Sequence, residues 1–397
     1  MEESSCFTEH TYSQPFALVD AQRTHWIRLF VQFMLKNQPC MLRSSVTDGW
    51  PSRQKWVKRS ENGEEINLDY ILENYGTMEV PLMDEPYEDY RTIRLSDYIE
   101  YLRRHHIASD AKYVKDWHFQ KESGTSYGAY NLPSFLRFDW INNEEWSGGN
   151  EDPLGDYRFV YFGTKNSWTV FHSDVMSSYS WSANICGRKL WYFVPPGNEE
   201  LFRKDRNGFI KDIRTARERW TEAGVVQFVQ LPGQIVFVPS NWYHQVHNLE
   251  DAISINHNFI NASNVDVVLR LVFDRLIDVR NEIADVKDIF TKTEFDEECQ
   301  KILKADIRIN FDLLHRLLQL VIKDRSSQTD QCWICAKHGV NLFECKKDDE
   351  CLKQIVRSVE ENCSCTQEAL CINCSRFMKE FELSCALQCA HLIDVTN

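Results

Sequence analysis

The stretch RFVYFGTKNSWTVFHSDVMSSYSWSANICGRKLWYFVPP, residues 158–196, decides the fold. It breaks into short aromatic and β-branched runs, separated by Gly, Asn and Ser, which is the texture of strands and tight turns rather than of helices. The same texture resumes in VVQFVQLPGQIVFVPS (225–240) and AISINHNFI (252–260), with turn chemistry at Pro232-Gly233 between two strand-like runs. Many short strands at close spacing predict a barrel or double-sheet jelly roll over residues 111–262. A charged segment near 197–223 reads as a helical insert within it.

Outward from this block the periodicity changes. In DAQRTHWIRLFVQFMLK (20–36), Trp26, Phe30, Phe33 and Met34 recur at helical spacing, and 67–75 and 95–104 read the same way. VPLMDEPYEDY (80–90) reads as irregular and acidic, so residues 1–110 are expected to be a mostly helical lead-in. After Val265 the helical period returns through VDVVLRLVFDRLIDVRNEIADVKDIF and INFDLLHRLLQLVIKD, a helical region over 263–325. The polar run DRSSQTDQ (324–331) reads as a linker into a Cys-rich helical tail, 326–397, which holds ten of the fourteen cysteines.

Lys plus Arg number 45 against 59 Asp plus Glu, a net charge of −14. Sequence-independent nucleic-acid binding rests on clustered cations, so this balance speaks against a nucleic-acid partner and an RNA-binding role. No uninterrupted apolar run approaches the roughly 20 residues of a membrane span, so no membrane association is expected. The start, MEESSCFTEH, has neither a basic nor an apolar signal region. An intracellular chain is expected, with cysteines that are reduced or ligate metal.

The chemistry lies in WTVFHSD. On extended backbone, residues i and i+2 share a face, so His172 and Asp174 project together as two parts of a facial metal site. VPSNWYHQVHN supplies two candidates for the third ligand, His244 and His247. Two histidines and one carboxylate on one face leave open positions, an arrangement suited to non-haem Fe(II). Lys189 sits seventeen residues after His172 in CGRKLWYF, an aromatic strand. Its ammonium either pairs with an anion, such as the far carboxylate of a dicarboxylate, or reaches water. In AISINHNFI, Ser254, Asn256 and Asn258 alternate with Ile253, Ile255, His257 and Phe259, and this polar row either lines a pocket or faces solvent.

In order and spacing, H-x-D, then Gly187, Lys189 and Trp191, then VPxxWxH followed by an alternating strand ending in NF, resembles the JmjC family of 2-oxoglutarate oxygenases. It is most similar to the compact hydroxylase branch, with the arginine and lysine hydroxylases and the asparaginyl hydroxylase of hypoxia signalling. The resemblance covers roughly residues 15–325 and fades in the tail. It implies a mainly β core, a double-stranded β-helix of cupin type (the JmjC jelly roll), with N-terminal and C-terminal α-helical additions. It also implies Fe(II) on His172, Asp174 and His244, with 2-oxoglutarate and O2 as cosubstrates and Lys189 on the distal carboxylate. Thr169 matches a hydroxyl that assists, and Asn256 a polar cosubstrate contact, with Asn258 second to it. The family's Asn after H-x-D has no assigned counterpart; the nearby polar residues are Ser178, Ser182 and Asn184. DYRFVYFG, SWSANICGRK, VFVPSNWYHQVHNL, YVKDWHF and QPCMLRSSVTDGW look like segments of a subgroup that hydroxylates a lysine of the eukaryotic translation termination release factor. That implies a protein substrate and a cytoplasmic address, with the nucleus as alternative. Asp116, Asp139 or Asp156 could attract a cationic substrate chain. A JmjC lysine demethylase and a non-catalytic jelly-roll binding module are the competing readings.

In the tail, the C-x-x-C pairs Cys332/Cys335 and Cys371/Cys374 have the form of zinc ligands, although they stand farther apart than zinc pairs usually do. A structural Zn is one reading. Cysteine as a small apolar residue on helices is the other.

Overall fold

The computed structural model describes residues 16, 18–61, 63–84, 90–104, 111–123, 128–142, 155–205, 208–326, 349–361, 363–365 and 370–396. Eight strands form the core: β1 (Arg158–Gly163), β2 (Trp168–His172), β3 (Tyr179–Cys186), β4 (Lys189–Val194), β5 (Val226–Gln230), β6 (Ile235–Val238), β7 (Tyr243–Asn248) and β8 (Ala252–Phe259). β6, β3, β8 and β1 lie side by side in one sheet; β5, β4, β7 and β2 form the facing sheet. All of these pairings are antiparallel. Successive strands largely switch sheets, which is the double-stranded β-helix that the family resemblance implies. The turn from β3 to β4 needs Gly187: its φ is +83°, and a Cβ there would collide with the Asp251 carbonyl.

The larger sheet is nine strands wide, extended at one edge by Cys40–Leu42 and Leu18–Val19 and at the other by Lys112–Trp117, Glu79–Asp84 and Tyr90–Arg94. Its outer face carries Trp181, Ala183, Ile185, Ile253, Ile255 and Phe259, all packed into the main core. Leaving such side chains in water would forgo roughly 1.5–3 kcal/mol for each large one. Trp50 and Tyr130 pack on Trp181, helix Pro51–Lys55 and strand Gly63–Ile66 contact β3, and the Tyr179 hydroxyl donates to the Met34 carbonyl, so N-terminal elements cover this face. Helices Val265–Glu282, Lys292–Ile307, Phe311–Ser326, Asp349–Glu361 and Ile372–Thr396 follow the core, as the 3.6-residue period predicts. Thr291 and Glu294 cap the second of these reciprocally. The smaller sheet buries its own outer face, with Phe171, Leu190, Tyr192 and Val194, against Phe202, Ile213 and Ala223.

Two local expectations give way to the structure. The described part of residues 1–110 is mixed rather than mostly helical. Helices Leu68–Tyr75 and Leu95–Arg104 are present, but Val57–Ser60 pairs with Gly63–Ile66, and Glu79–Asp84 is a sheet strand. In VPLMD the buried Val80 and Leu82 repeat at period two, a strand signal masked by the acidic residues after it. The 197–223 insert is built mainly of 3-10 turns and a small hairpin, with one turn of α-helix at Trp220–Ala223. Among the described residues no helix is long and apolar enough to cross a membrane.

Candidate metal centre

The inner faces of the two sheets are apolar at one end, around Trp191, Phe193, Phe228, Val236 and Val238, and polar at the other. The polar end holds a cavity of about 590 Å3 whose wall includes His172, Asp174, His244, Lys189, Thr169 and Asn256. All six expected iron-site and cosubstrate residues therefore meet in one space.

His172 ends β2 and pairs across the sheet with His244 on β7, their ring centroids 4.3 Å apart. Asp174 follows in extended backbone (φ −64°, ψ 145°), so the i, i+2 relation persists past the strand end. One ligand atom from each of the three lies within 4.8 Å of the other two. The Nδ1 of His172 is 2.7 Å from the Val170 carbonyl, and that of His244 is 3.0 Å from the Trp242 carbonyl. A carbonyl only accepts, so both Nδ1 atoms carry the proton and both Nε2 lone pairs are left for a metal. Burial, with His244 adjacent, holds the His172 imidazole well below its ordinary pKa, which keeps it in the neutral, ligating form. Ser180, on β3, donates to Asp174 Oδ2 at 2.7 Å and orients the carboxylate.

His247 belongs elsewhere. Three residues past His244 on a strand it faces the other way, stacked on Trp168 at 5.4 Å and hydrogen-bonded to Gln245. Burial pulls its pKa down to about 3.

Lys189 is only 2% exposed. Its Nζ donates to Ser254 Oγ at 2.7 Å, and Ser254 and Ser182 both donate to Asn256 Oδ1, at 3.1 and 3.3 Å. Among the described residues no carboxylate forms an ion pair with it, and burial alone brings its pKa from 10.5 down to about 7. A buried cation beside polar groups but without a counter-charge suits an anionic ligand entering the cavity. Thr169 Oγ1 accepts from the Val246 N–H at 3.2 Å, leaving its own hydrogen for the cavity.

Of the other polar candidates, Ser182 and Asn258 line the cavity, whereas Asn184 binds the carbonyls of Gly187 and Gln230. Asp116 and Asp156 also line it. Asp139 does not: it caps the turn at Ile141 and Asn142, and burial raises its pKa to about 6. Asp156 is paired with Arg158 at 2.8 Å. Asp116 accepts from the neutral hydroxyls of Tyr90 and Tyr161, at 2.9 and 2.8 Å. It sits at φ +59°, within a register shift of strand Lys112–Trp117, the type of bulge that re-aims a side chain. Ser180 escapes a search for ligand motifs, and Ser254 is legible only as a member of the polar row, not as the partner of Lys189. Their signal is the alternation Ser180, Ser182 and Ser254, Asn256 on inward-facing positions of β3 and β8.

The four-cysteine expectation is redrawn. Cys371 and Cys374 converge with Cys363 and Cys365, while Cys332 and Cys335 lie outside the described residues. Nine described cysteines, the four of this cluster among them, are free thiols.

A double-stranded β-helix with H-x-D and a distal histidine at its mouth, beside a buried lysine, defines the class of JmjC oxygenases. Residues 159–259 match the family model described as JmjC domain, hydroxylase. The 2-oxoglutarate and iron-dependent oxygenase JMJD4 of Gallus gallus is 36% identical over 75% of this chain and 72% of its own length. The Homo sapiens protein of the same name is 34% identical, over 74% of this chain and 72% of its length. The Arabidopsis thaliana arginine-specific demethylase JMJ20 is 36% identical, over 71% and 64%. The chain belongs to the JMJD4 family of 2-oxoglutarate and iron-dependent oxygenases.

Proposed function

We propose that this chain is an Fe(II)- and 2-oxoglutarate-dependent protein lysyl hydroxylase whose substrate is a lysine of the eukaryotic translation termination release factor. The observation that carries the cosubstrate assignment is Lys189, a buried ammonium with no carboxylate partner among the described residues, in one cavity with His172, Asp174 and His244. These three would hold the iron, and Lys189, supported by Ser254 and Asn256, the distal carboxylate of 2-oxoglutarate. Bound iron, with 2-oxoglutarate and O2, supplies the oxidising power to hydroxylate an unactivated carbon, with release of succinate and carbon dioxide.

The protein's part is positioning. The Val170 and Trp242 carbonyls fix the tautomers of the histidines, and Ser180 fixes the plane of Asp174. Trp191, Phe159 and Tyr161 give the cavity wall aromatic surface against which a substrate chain can be positioned. The wall also holds Lys115, Lys121 and Arg308, so a cationic substrate needs a specific anion. Asp156 is already paired with Arg158; Asp116 accepts only from tyrosine hydroxyls and forms no ion pair among the described residues, which suits it to an incoming ammonium. A release-factor substrate gives a cytoplasmic address.

Demethylation uses the same metal and cosubstrate, and the similarity to the Arabidopsis arginine-specific demethylase favours it as the second reading. Peptide mass spectrometry separates the two, using purified release factor, Fe(II), 2-oxoglutarate, ascorbate and a His172→Ala control. A gain of one oxygen on lysine, absent in the control, is expected. Loss of a methyl group from methylated peptides moves the assignment to demethylase. Succinate formation without change in the release factor rejects that substrate.

A further inference from the structure

We propose that Cys363, Cys365, Cys371 and Cys374 form a structural zinc–tetrathiolate site that fastens the C-terminal helix to the N-terminal helical segment. The four side chains come from the junction between helices Asp349–Glu361 and Ile372–Thr396, and one sulfur from each lies within 4.8 Å of the others. A zinc–sulfur bond of about 2.3 Å places the corners of a tetrahedron about 3.8 Å apart. Cys363 and Cys374 have sulfurs 3.5 Å apart, close to that edge and far beyond the roughly 2.05 Å of a disulfide. The spacing C-x-C-x5-C-x-x-C ends in a zinc-type pair, and its last member stands on the first turn of a 25-residue helix. Cysteines serving only as small apolar side chains need no such convergence of four sulfurs.

The surroundings suit thiolates. The Cys365 N–H donates to Cys363 Sγ at 3.2 Å, and the Cys371 N–H to Cys365 Sγ at 3.1 Å. His25 Nδ1 accepts from the Ile27 N–H at 3.3 Å, so Nε2 carries the proton, and it lies 2.9 Å from Cys363 Sγ. A ring N–H donating to a metal-bound sulfur is the outer partner that tunes and orients a ligand. The bidentate pair of Arg28 with Glu360 closes the same seam. Farther along the last helix, buried Glu382 accepts from Trp140 Nε1 and Arg325 Nε, each at 2.8 Å. Zinc would thus set where that helix begins and hold it against the core. None of these residues lines the cavity of the His172 triad.

The test uses the full-length chain carrying His172→Ala, so that zinc cannot occupy the triad. Metal analysis should find about one zinc per chain, and X-ray absorption at the zinc edge four sulfurs at about 2.3 Å. Adding Cys363→Ser and Cys374→Ser should lower the zinc content at least tenfold. No zinc overturns the proposal, as does a shell of nitrogen and oxygen at about 2.0–2.2 Å. So does retention of zinc in the serine variant, or a disulfide among the four found by non-reducing mass spectrometry. The absorption measurement is made with all four cysteines present, so it stands even where the serine variant misfolds.

Discussion

Replacing Lys189 by Met is expected to make the ligand-free protein more stable and to weaken its affinity for 2-oxoglutarate. The ammonium is buried against Ser254, and its pKa falls from 10.5 to about 7 through burial. At ~1.4 kcal/mol per tenfold in proton affinity, the charged form in the cavity is disfavoured by roughly 5 kcal/mol. This is an upper bound on what Met would recover, since Met loses the hydrogen bond to Ser254. Ser254 keeps a partner in Asn256. The sign with pH follows from proton counts. Below about pH 7 both the folded and unfolded chains hold the proton, and the wild type bears the full penalty. Between about 7 and 10.5 the unfolded chain still holds a proton that the folded chain has lost, so wild-type stability rises with pH. The advantage of the variant should therefore be largest at or below pH 7 and shrink toward pH 10. Denaturant unfolding of metal-free protein across that range reads it directly. In anaerobic calorimetry of iron-loaded protein, loss of the buried cation should weaken 2-oxoglutarate by about 2–5 kcal/mol, a factor of roughly 30 to several thousand. A variant less stable than wild type at pH 7, with undiminished 2-oxoglutarate affinity, would refute the reasoning.

The two histidines of the β7 segment should separate cleanly. His244→Ala should abolish iron binding with the fold kept, whereas His247→Ala should retain iron and lose roughly 1–3 kcal/mol of stability, by analogy with other buried hydrogen-bonded side chains; metal titration and unfolding curves check both. Ser180→Ala removes the hydroxyl that orients Asp174 and should weaken iron about 10–100-fold with little change in melting temperature. Asp116→Asn should raise KM for a lysine peptide about tenfold or more, consistent with loss of a charge-assisted contact, and leave the 2-oxoglutarate Kd unchanged. An Asp116 variant with unaltered peptide kinetics would remove this carboxylate from substrate recognition.

The jelly roll was legible because its signals are local: period-two alternation, turn residues at Pro232-Gly233, and a glycine at the β3–β4 turn. The helical region after Val265 was legible for the same reason, from its 3.6-residue period. Edge elements were not. Glu79–Asp84 is a strand because Lys112–Trp117 pairs with it, a partner remote in the chain, and the acidic residues that follow hide its alternation. In the tail, local C-x-x-C spacing identified Cys371 and Cys374, but their described neighbours, Cys363 and Cys365, follow from how the last two helices meet.

By itself the sequence determined which residue types were available for chemistry and which of them share a face, because backbone geometry dictates i, i+2 relations. His172 with Asp174, and Ser254 with Asn256 and Asn258, follow from that alone. Only the tertiary structure decided that the polar row faces inward, since N-terminal elements, Trp50 and Tyr130 among them, cover the opposite face of the sheet with apolar side chains. It also decided that Lys189 is buried rather than reaching water, and that His244 faces His172 while His247 turns away. The bulge that aims Asp116 into the cavity is a further such feature. Each of these depends on the pairing of strands distant in the chain, and local periodicity carries no record of that pairing.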